Sequence, residues 1–282
     1  MDGRCAVVWI AGALCAAAAA AQPVPPGAQF DAAHRLVAWP DKRETACPRR
    51  SPRVATILIL GQSNAGNHAQ SAPLPMADEA VLNWHAGRCH VAASPLLGAT
   101  GWQQEPWTSM ARSVLASGKF DRVVLAPIAV AGSPIARWVG RGDLRPVLMR
   151  EATQLRDHLD VTAVLWLQGE ADFGRATGER AYTAALGQVV ASIRSAGIDA
   201  PVLVYTATWC LDPARWTADN PVARAQRGVL AWHGVRARNV FRGVDMDALL
   251  RPEDRFDGCH LGESGVRQVA RATARLLGAA TP

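Results

Sequence analysis

The chain has 282 residues, 49% of them apolar, enough for one sizeable core and short of two full domains. Its 30 Lys and Arg against 24 Asp and Glu leave a net charge of +6, spread along the chain without a basic block or a basic-aromatic stripe. That distribution excludes a nucleic-acid track and reads as solubility with mild attraction to acidic surfaces.

Residues 1–21 join a short start containing Arg4, an apolar run from Ala6 to Leu14, and an alanine tract ending Ala19-Ala20-Ala21. This is the grammar of a cleaved secretory signal peptide, too short and Ala-rich for a membrane span, so the expected location is secreted or periplasmic with no stable membrane insertion. A disordered Ala-rich leader is the plainer alternative. Cys15 raises lipidation, but Leu14 before it is bulkier than lipoprotein processing accepts.

Removing the leader takes Cys5 and Cys15 and leaves Cys47, Cys89, Cys210 and Cys259. In an oxidising compartment these permit three pairings. The layout favours Cys47 with Cys89 and Cys210 with Cys259, because each pair sits beside elements that a parallel sheet brings together. A metal cluster around His85, Cys89 and His90 is the competing idea, but its spacing matches no standard zinc pattern.

Residues 22–53 are rich in proline and weak in periodicity, which predicts a lead-in lying over the domain surface. The apolar run Val54 to Leu60, ended by Gly61, predicts a central strand buried on both faces. Similar runs follow at Arg122 to Val130, Val161 to Leu167 and Pro201 to Ala207, with a shorter one at Val240 to Val244. Helical spacing marks Glu179 to Gly197 and Gly262 to Leu277, and more weakly Glu105 to Ser117, Arg145 to Leu159 and Asn220 to Trp232. Strands alternating with helices predict a parallel sheet covered on both faces, with every strand's C-terminal end on one ligand-binding edge.

The polar motifs fall on that edge: Gly61-Gln62-Ser63-Asn64 after the first strand, Ala131-Gly132-Ser133 after the second and Gln168-Gly169-Glu170 after the third. Asp257-Gly258-Cys259-His260 comes just before the last helix. A serine hydroxyl needs a base within reach, and the base needs a group that fixes its tautomer. Ser63, His260 and Asp257 can fill these roles, the spacing of three letting the carboxylate meet Nδ1 while Nε2 faces Ser63. The Ser63 and Gly132 backbone N–H groups and the Gln168 side-chain amide are the candidate oxyanion donors.

In this order and at these separations, the four motifs resemble the SGNH hydrolase superfamily, and Gln168-Gly169-Glu170 resembles its branch of sialate O-acetylesterase-like and family 6 carbohydrate esterases. The resemblance runs from Val54 to Leu277 within a domain drawn at 54–282. It implies a three-layer α/β/α flavodoxin-like sandwich, Ser63 as nucleophile, Gly132 and Gln168 in the oxyanion hole, and Asp257 with His260 completing the triad. It also implies acetyl removal from a carbohydrate or related polyol, with no metal and no cofactor. Cys259 inside the Asp-x-x-His turn is unusual, as a supporting disulfide to Cys210 or a free thiol.

The remaining polar residues divide into braces and lining. Glu170 is read as bracing the Ser63 turn rather than as a second acid-base group, Asp172 similarly, and Gln62 and Asn64 as supports of the same turn. His34, His85, His90, His158 and His233 are placed on the surface or in loops; His68, five residues past Ser63, can line the pocket. Trp102, Trp107 and Trp166 read as core, while Trp138 is placed near the mouth. A lipase or thioesterase is the rival enzyme, lacking an apolar channel in the loops at 67–101 and 207–220. An inactive carbohydrate-binding protein is the rival outside enzymes, opposed by the intact triad.

Overall fold

A computed structural model describes residues 23–71, 79–210, 214–231 and 239–280. The proposed leader, His233 and Trp232 lie outside the described residues. Three short strands come first, β1 (Gln29–Phe30), β2 (Leu36–Ala38) and β3 (Glu44–Thr45), then β4 (Val54–Gly61) and the pair β5 (Val81–His85) and β6 (Arg88–Val91). From there strands and helices alternate: α1 (Trp107–Leu115), β7 (Arg122–Ala129), α2 (Leu144–His158), β8 (Ala163–Leu167), α3 (Glu170–Gly174) and α4 (Glu179–Ser195). The chain continues through β9 (Val202–Thr206), α5 (Pro221–Arg227), β10 (Val240–Asp245), α6 (Met246–Leu249) and α7 (Glu263–Ala280).

The main sheet runs β10-β9-β8-β4-β7-β5-β6-β3, parallel from β10 to β5 and antiparallel over the last two pairs. Successive side chains on a strand point to opposite faces, so β4 feeds two cores. Ile57 and Ile59 pack with Trp107 and Met110 of α1 and Val266 and Val269 of α7. Leu58 and Leu60 pack on the other side with Leu148 of α2, Leu186 and Val190 of α4, and Val222 of α5. Each such side chain contributes about 1.5–3 kcal/mol by leaving water. The result is a three-layer α/β/α sandwich.

Its five core strands, β7-β4-β8-β9-β10, follow the flavodoxin-like order, with β5, β6 and β3 added beyond β7. The chain leaves β4 toward β7 and then crosses back over it to β8, so strand order reverses around β4. That reversal opens a crevice at the C-terminal end of β4, immediately before Ser63.

The strands and helices expected from periodicity are present to within a few residues, apart from the stretch after Asn220. There α5 stops at Arg227 and Gly228–Ala231 tightens into a 3-10 turn. The β5–β6 hairpin was not expected, and its two-residue loop, Ala86-Gly87, has both residues at positive φ, as a type I′ turn requires. The proline-rich segment supplies β3 to the sheet edge. It also carries Arg35, 1% exposed, whose guanidinium donates to both carboxylate oxygens of Glu151 at 2.8 and 2.6 Å.

Cys47 bonds Cys89 and Cys210 bonds Cys259, the pairing favoured from the layout. Cys259 is therefore not a free thiol, and Cys89 is withdrawn from any metal cluster with His85 and His90. Among the described residues no three His, Cys, Asp or Glu side chains are grouped to hold a metal ion. No described helix is long and apolar enough to cross a membrane.

Candidate active site

The turn that presents Ser63 begins with a glycine for a steric reason. Gly61 has φ +148, and a Cβ there would lie 1.8 Å from the Leu167 carbonyl oxygen on β8. Only glycine lets β4 end this close to β8. The chain then coils into a 3-10 turn, Ser63–Ala65, with Ser63 5% exposed. Gly132, beyond β7, has φ +62 and open space where a Cβ would stand, so the left-handed backbone rather than crowding calls for glycine. Among the described residues the backbone N–H groups of Ser63 and Gly132 donate to no protein acceptor.

Asp257 and His260 sit in one closed turn, because the Phe256 N–H donates to the His260 carbonyl at 3.0 Å. Asp257 Oδ2 lies 2.7 Å from His260 Nδ1, and Oδ1 accepts the backbone N–H groups of Cys259 at 2.9 Å and His260 at 2.7 Å. Burial opposes ionisation of Asp257, but the His260 backbone N–H, then its ring and the Cys259 N–H outweigh it and hold the carboxyl below the usual carboxylate range. The turn docks on the Ser63 turn through Asn64, whose Nδ2 donates to the Cys259 carbonyl at 3.3 Å. Among the described residues no hydrogen bond closes between the His260 ring and Ser63 Oγ, a common state before substrate arrives.

Glu170 braces this junction. Its Oε1 accepts Asn64 Nδ2 at 2.8 Å, while Oε2 has no partner among the described residues. Burial pushes the carboxyl up to about 7, against the Asn64 bond and the charge of Arg255. The folded protein thus keeps this proton to higher pH than the unfolded chain, so the group costs stability as pH rises through about 7. Glu170→Gln keeps an acceptor for Asn64 and removes the charge. Its unfolding free energy relative to wild type should therefore rise by on the order of 3 kcal/mol between about pH 4 and about pH 8. Denaturant melts that show a pH-independent difference would refute burial as the cause.

Gln168 does not reach the site as expected. It is 0% exposed; its Nε2 protons go to Asp172 Oδ2 at 2.6 Å and the Ser133 carbonyl at 3.1 Å, with Gln62 Oε1 at 3.3 Å, and its Oε1 accepts from Tyr182. With its protons held inside, the amide ties the three edge loops together instead of facing Ser63. Gln62 and Asp172 belong to the same brace, accepting the N–H groups of Ala171 at 3.1 Å and Ile135 at 2.7 Å.

His68 is brought to His260, the two rings stacked at 5.4 Å and 22°. Burial first, and the neighbouring His260 second, push His68 down to about 4, so it is neutral at ordinary pH. Its Nε2 lies 3.1 Å from Thr100 Oγ1, which accepts the Ala131 N–H at 2.9 Å and so steadies the backbone before Gly132. A cleft of about 190 Å3 opens here, lined by Asn67, His68, Trp102, Gln103, Phe256 and His260. Trp138 is not at the mouth: a 3-10 turn, Ile135–Trp138, carries it inward, 0% exposed and edge-on to Trp166. Trp102 occupies the rim instead. His85 is buried in β5 rather than placed in a loop.

A flavodoxin-like sandwich with this strand order is the fold expected of an SGNH-type hydrolase, though unrelated activities share it. The chain matches the family of carbohydrate esterases described as sialic acid-specific acetylesterases over residues 53–275, and it belongs to that family. It is accordingly a carboxylic ester hydrolase. Among solved structures, a protein from Arabidopsis thaliana is similar at 19% identity and a TM-score of 0.63, over 82% of this chain and 100% of its own. NanS is similar at 15% identity and 0.55, over 82% and 98%. A carbohydrate acetylesterase from Xanthomonas citri is similar at 14% identity and 0.51, over 80% of this chain and 56% of its own. At these identities the likeness speaks for the fold. No curated protein matches the chain in sequence.

Proposed function

We propose that the protein removes O-acetyl groups from a carbohydrate through an acyl-serine intermediate. The observation that carries this reading is the 2.7 Å contact between Asp257 Oδ2 and His260 Nδ1, on a turn bonded to the residue after Ser63. Asp257 holds the proton on Nδ1, which leaves Nε2 free to take the Ser63 hydroxyl proton as Oγ attacks the ester carbonyl. The carbonyl oxygen becomes an oxyanion, and the Ser63 and Gly132 N–H groups are the donors aimed at it. The C–O bond to the alcohol then breaks, and the His260 imidazolium protonates the departing oxygen. Water, deprotonated in turn by His260, attacks the acetyl-serine ester, releases acetate and restores the Ser63 hydroxyl.

Gln168 is assigned to the brace and not to the oxyanion hole. The two disulfides fit an oxidising compartment, and residues 1–21 are read as the export signal. A serine-directed organophosphonate should label one residue, Ser63, and abolish hydrolysis, while a chelator leaves the rate unchanged. Mass spectrometry that finds Ser63 unmodified in an inactivated sample would overturn the assignment.

A further inference from the structure

The alcohol half of the ester has to leave from the His260 side, because the imidazolium hands its proton to the departing oxygen. The cleft of about 190 Å3 lies beside that ring. It is smaller than the roughly 300 Å3 at which pockets enclose a drug-sized ligand, so it holds one ring and leaves the rest of a larger molecule outside. Phe256 stands on its wall 37% exposed, an uncovered large apolar side chain stacked against His260 at 6.1 Å and 28°. Trp102, half-buried on the rim, is fixed edge-on to Phe30 at 6.3 Å. Two aromatic faces beside a small polar cleft suit the apolar face of a ring whose edges carry hydroxyls.

The charge of the cleft narrows the choice further. Among the described residues no lysine, arginine, aspartate or glutamate lines it. Besides the catalytic His260 ring, its polar groups are the Gln103 amide, the Asn67 amide, already bonded to Leu96 and Gly101, and the His68 ring, which burial keeps neutral. Arg255, next in sequence to Phe256, is 6% exposed and does not line the cleft; it donates to the Cys259 carbonyl. A carboxylate borne by a ring in this cleft would lose water against Trp102 and Phe256 with no fixed lysine or arginine to replace it, and pairing with His260 would oppose its work as a base.

We infer that this cleft is the subsite for the leaving alcohol and that it selects a single uncharged sugar ring over the carboxylate-bearing sugar in the family's description. The inference rests on the serine esterase reading above. It makes Trp102 and Phe256 the stacking surface, and Gln103 and His68 the groups that meet hydroxyls.

Acetate release from three esters separates the possibilities: ethyl acetate, whose alcohol is too small to fill the cleft, mono-O-acetyl glucose, and O-acetylated N-acetylneuraminic acid. The neutral sugar should exceed the anionic one in kcat/KM by about tenfold or more. Trp102→Ala should lower kcat/KM for the neutral sugar, mainly through KM, by about tenfold more than for ethyl acetate, and Trp102→Phe should recover most of it. Gln103→Arg should move the neutral-to-anionic ratio toward the anionic sugar by about tenfold, with a thermal melt of the same sample reporting folding. Equal or greater activity on the anionic sugar overturns the inference, as does turnover of ethyl acetate with neither sugar. An enzyme that hydrolyses none of the three, although folded, overturns the esterase reading itself.

Discussion

Ser63→Ala should lower kcat by about a millionfold while leaving the fold intact. The size follows from the division of labour: without Oγ there is no acyl-enzyme, and neither His260 nor Asp257 has a proton to move. What remains is water attack on an ester held against the Ser63 and Gly132 N–H groups, which in comparable serine hydrolases is still about a thousandfold or more over the uncatalysed rate. The fold should tolerate the change, because Ser63 Oγ makes no hydrogen bond among the described residues and alanine fits the 3-10 turn at 5% exposure. His260→Ala should be as damaging, and the double variant no worse than either alone, since the residues act as one unit. Circular dichroism and a thermal melt check folding, and acetate release checks rate. A folded Ser63→Ala protein with more than a few per cent of wild-type turnover would sink the nucleophile assignment.

The core strands were legible because β4, β7, β8 and β9 are nearly continuous apolar runs, which only a sheet covered on both faces needs. The β5–β6 hairpin was hidden by its polar residues. Asn83 is fully buried in β5, and its amide is satisfied by the backbone of Leu97, a partner far enough away that local periodicity cannot reveal it. The site divides the same way. The positions of Ser63 and Gly132 after strands, and of Asp257 and His260 in one turn, were readable because glycines and the Asp-x-x-His spacing mark strand ends and tight turns. Gln168 was misplaced because a sequence shows that an amide can donate, not whether its protons are already held, here by Asp172 and Ser133. Trp138 was misplaced for a related reason, since its place after Gly132 fixed the loop but not which way the 3-10 turn would point the ring. Trp102 gave one signal that could have been used: it follows Gly101, at φ +83, in a stretch with neither helical nor strand period.

Asp257→Asn should lower kcat/KM by about ten-thousandfold with little effect on stability. Asp257 does two separable things. Oδ1 accepts the backbone N–H groups of Cys259 and His260 and so shapes the turn, while Oδ2 meets His260 Nδ1 at 2.7 Å. An asparagine has one acceptor and one donor end, and the two backbone donors decide which goes where. Its Oδ1 must stay on the N–H groups, because turning Nδ2 toward them would set donor against donor. Nδ2 therefore faces Nδ1 and donates to it, which moves the ring proton to Nε2. The imidazole then presents a donor to Ser63 where the reaction needs an acceptor, and the partner that stabilises the imidazolium is gone as well. The turn and the Cys210–Cys259 bond behind it are preserved, so the loss should fall on kcat rather than on the melting temperature. Asp257→Ala provides the contrast, since it removes the backbone bonds too and should lower both. If Asp257→Asn kept near wild-type kcat/KM, another carboxylate would have to hold the His260 tautomer, and Glu170, buried beside the same turn with Oε2 unpartnered among the described residues, would be the group to replace next.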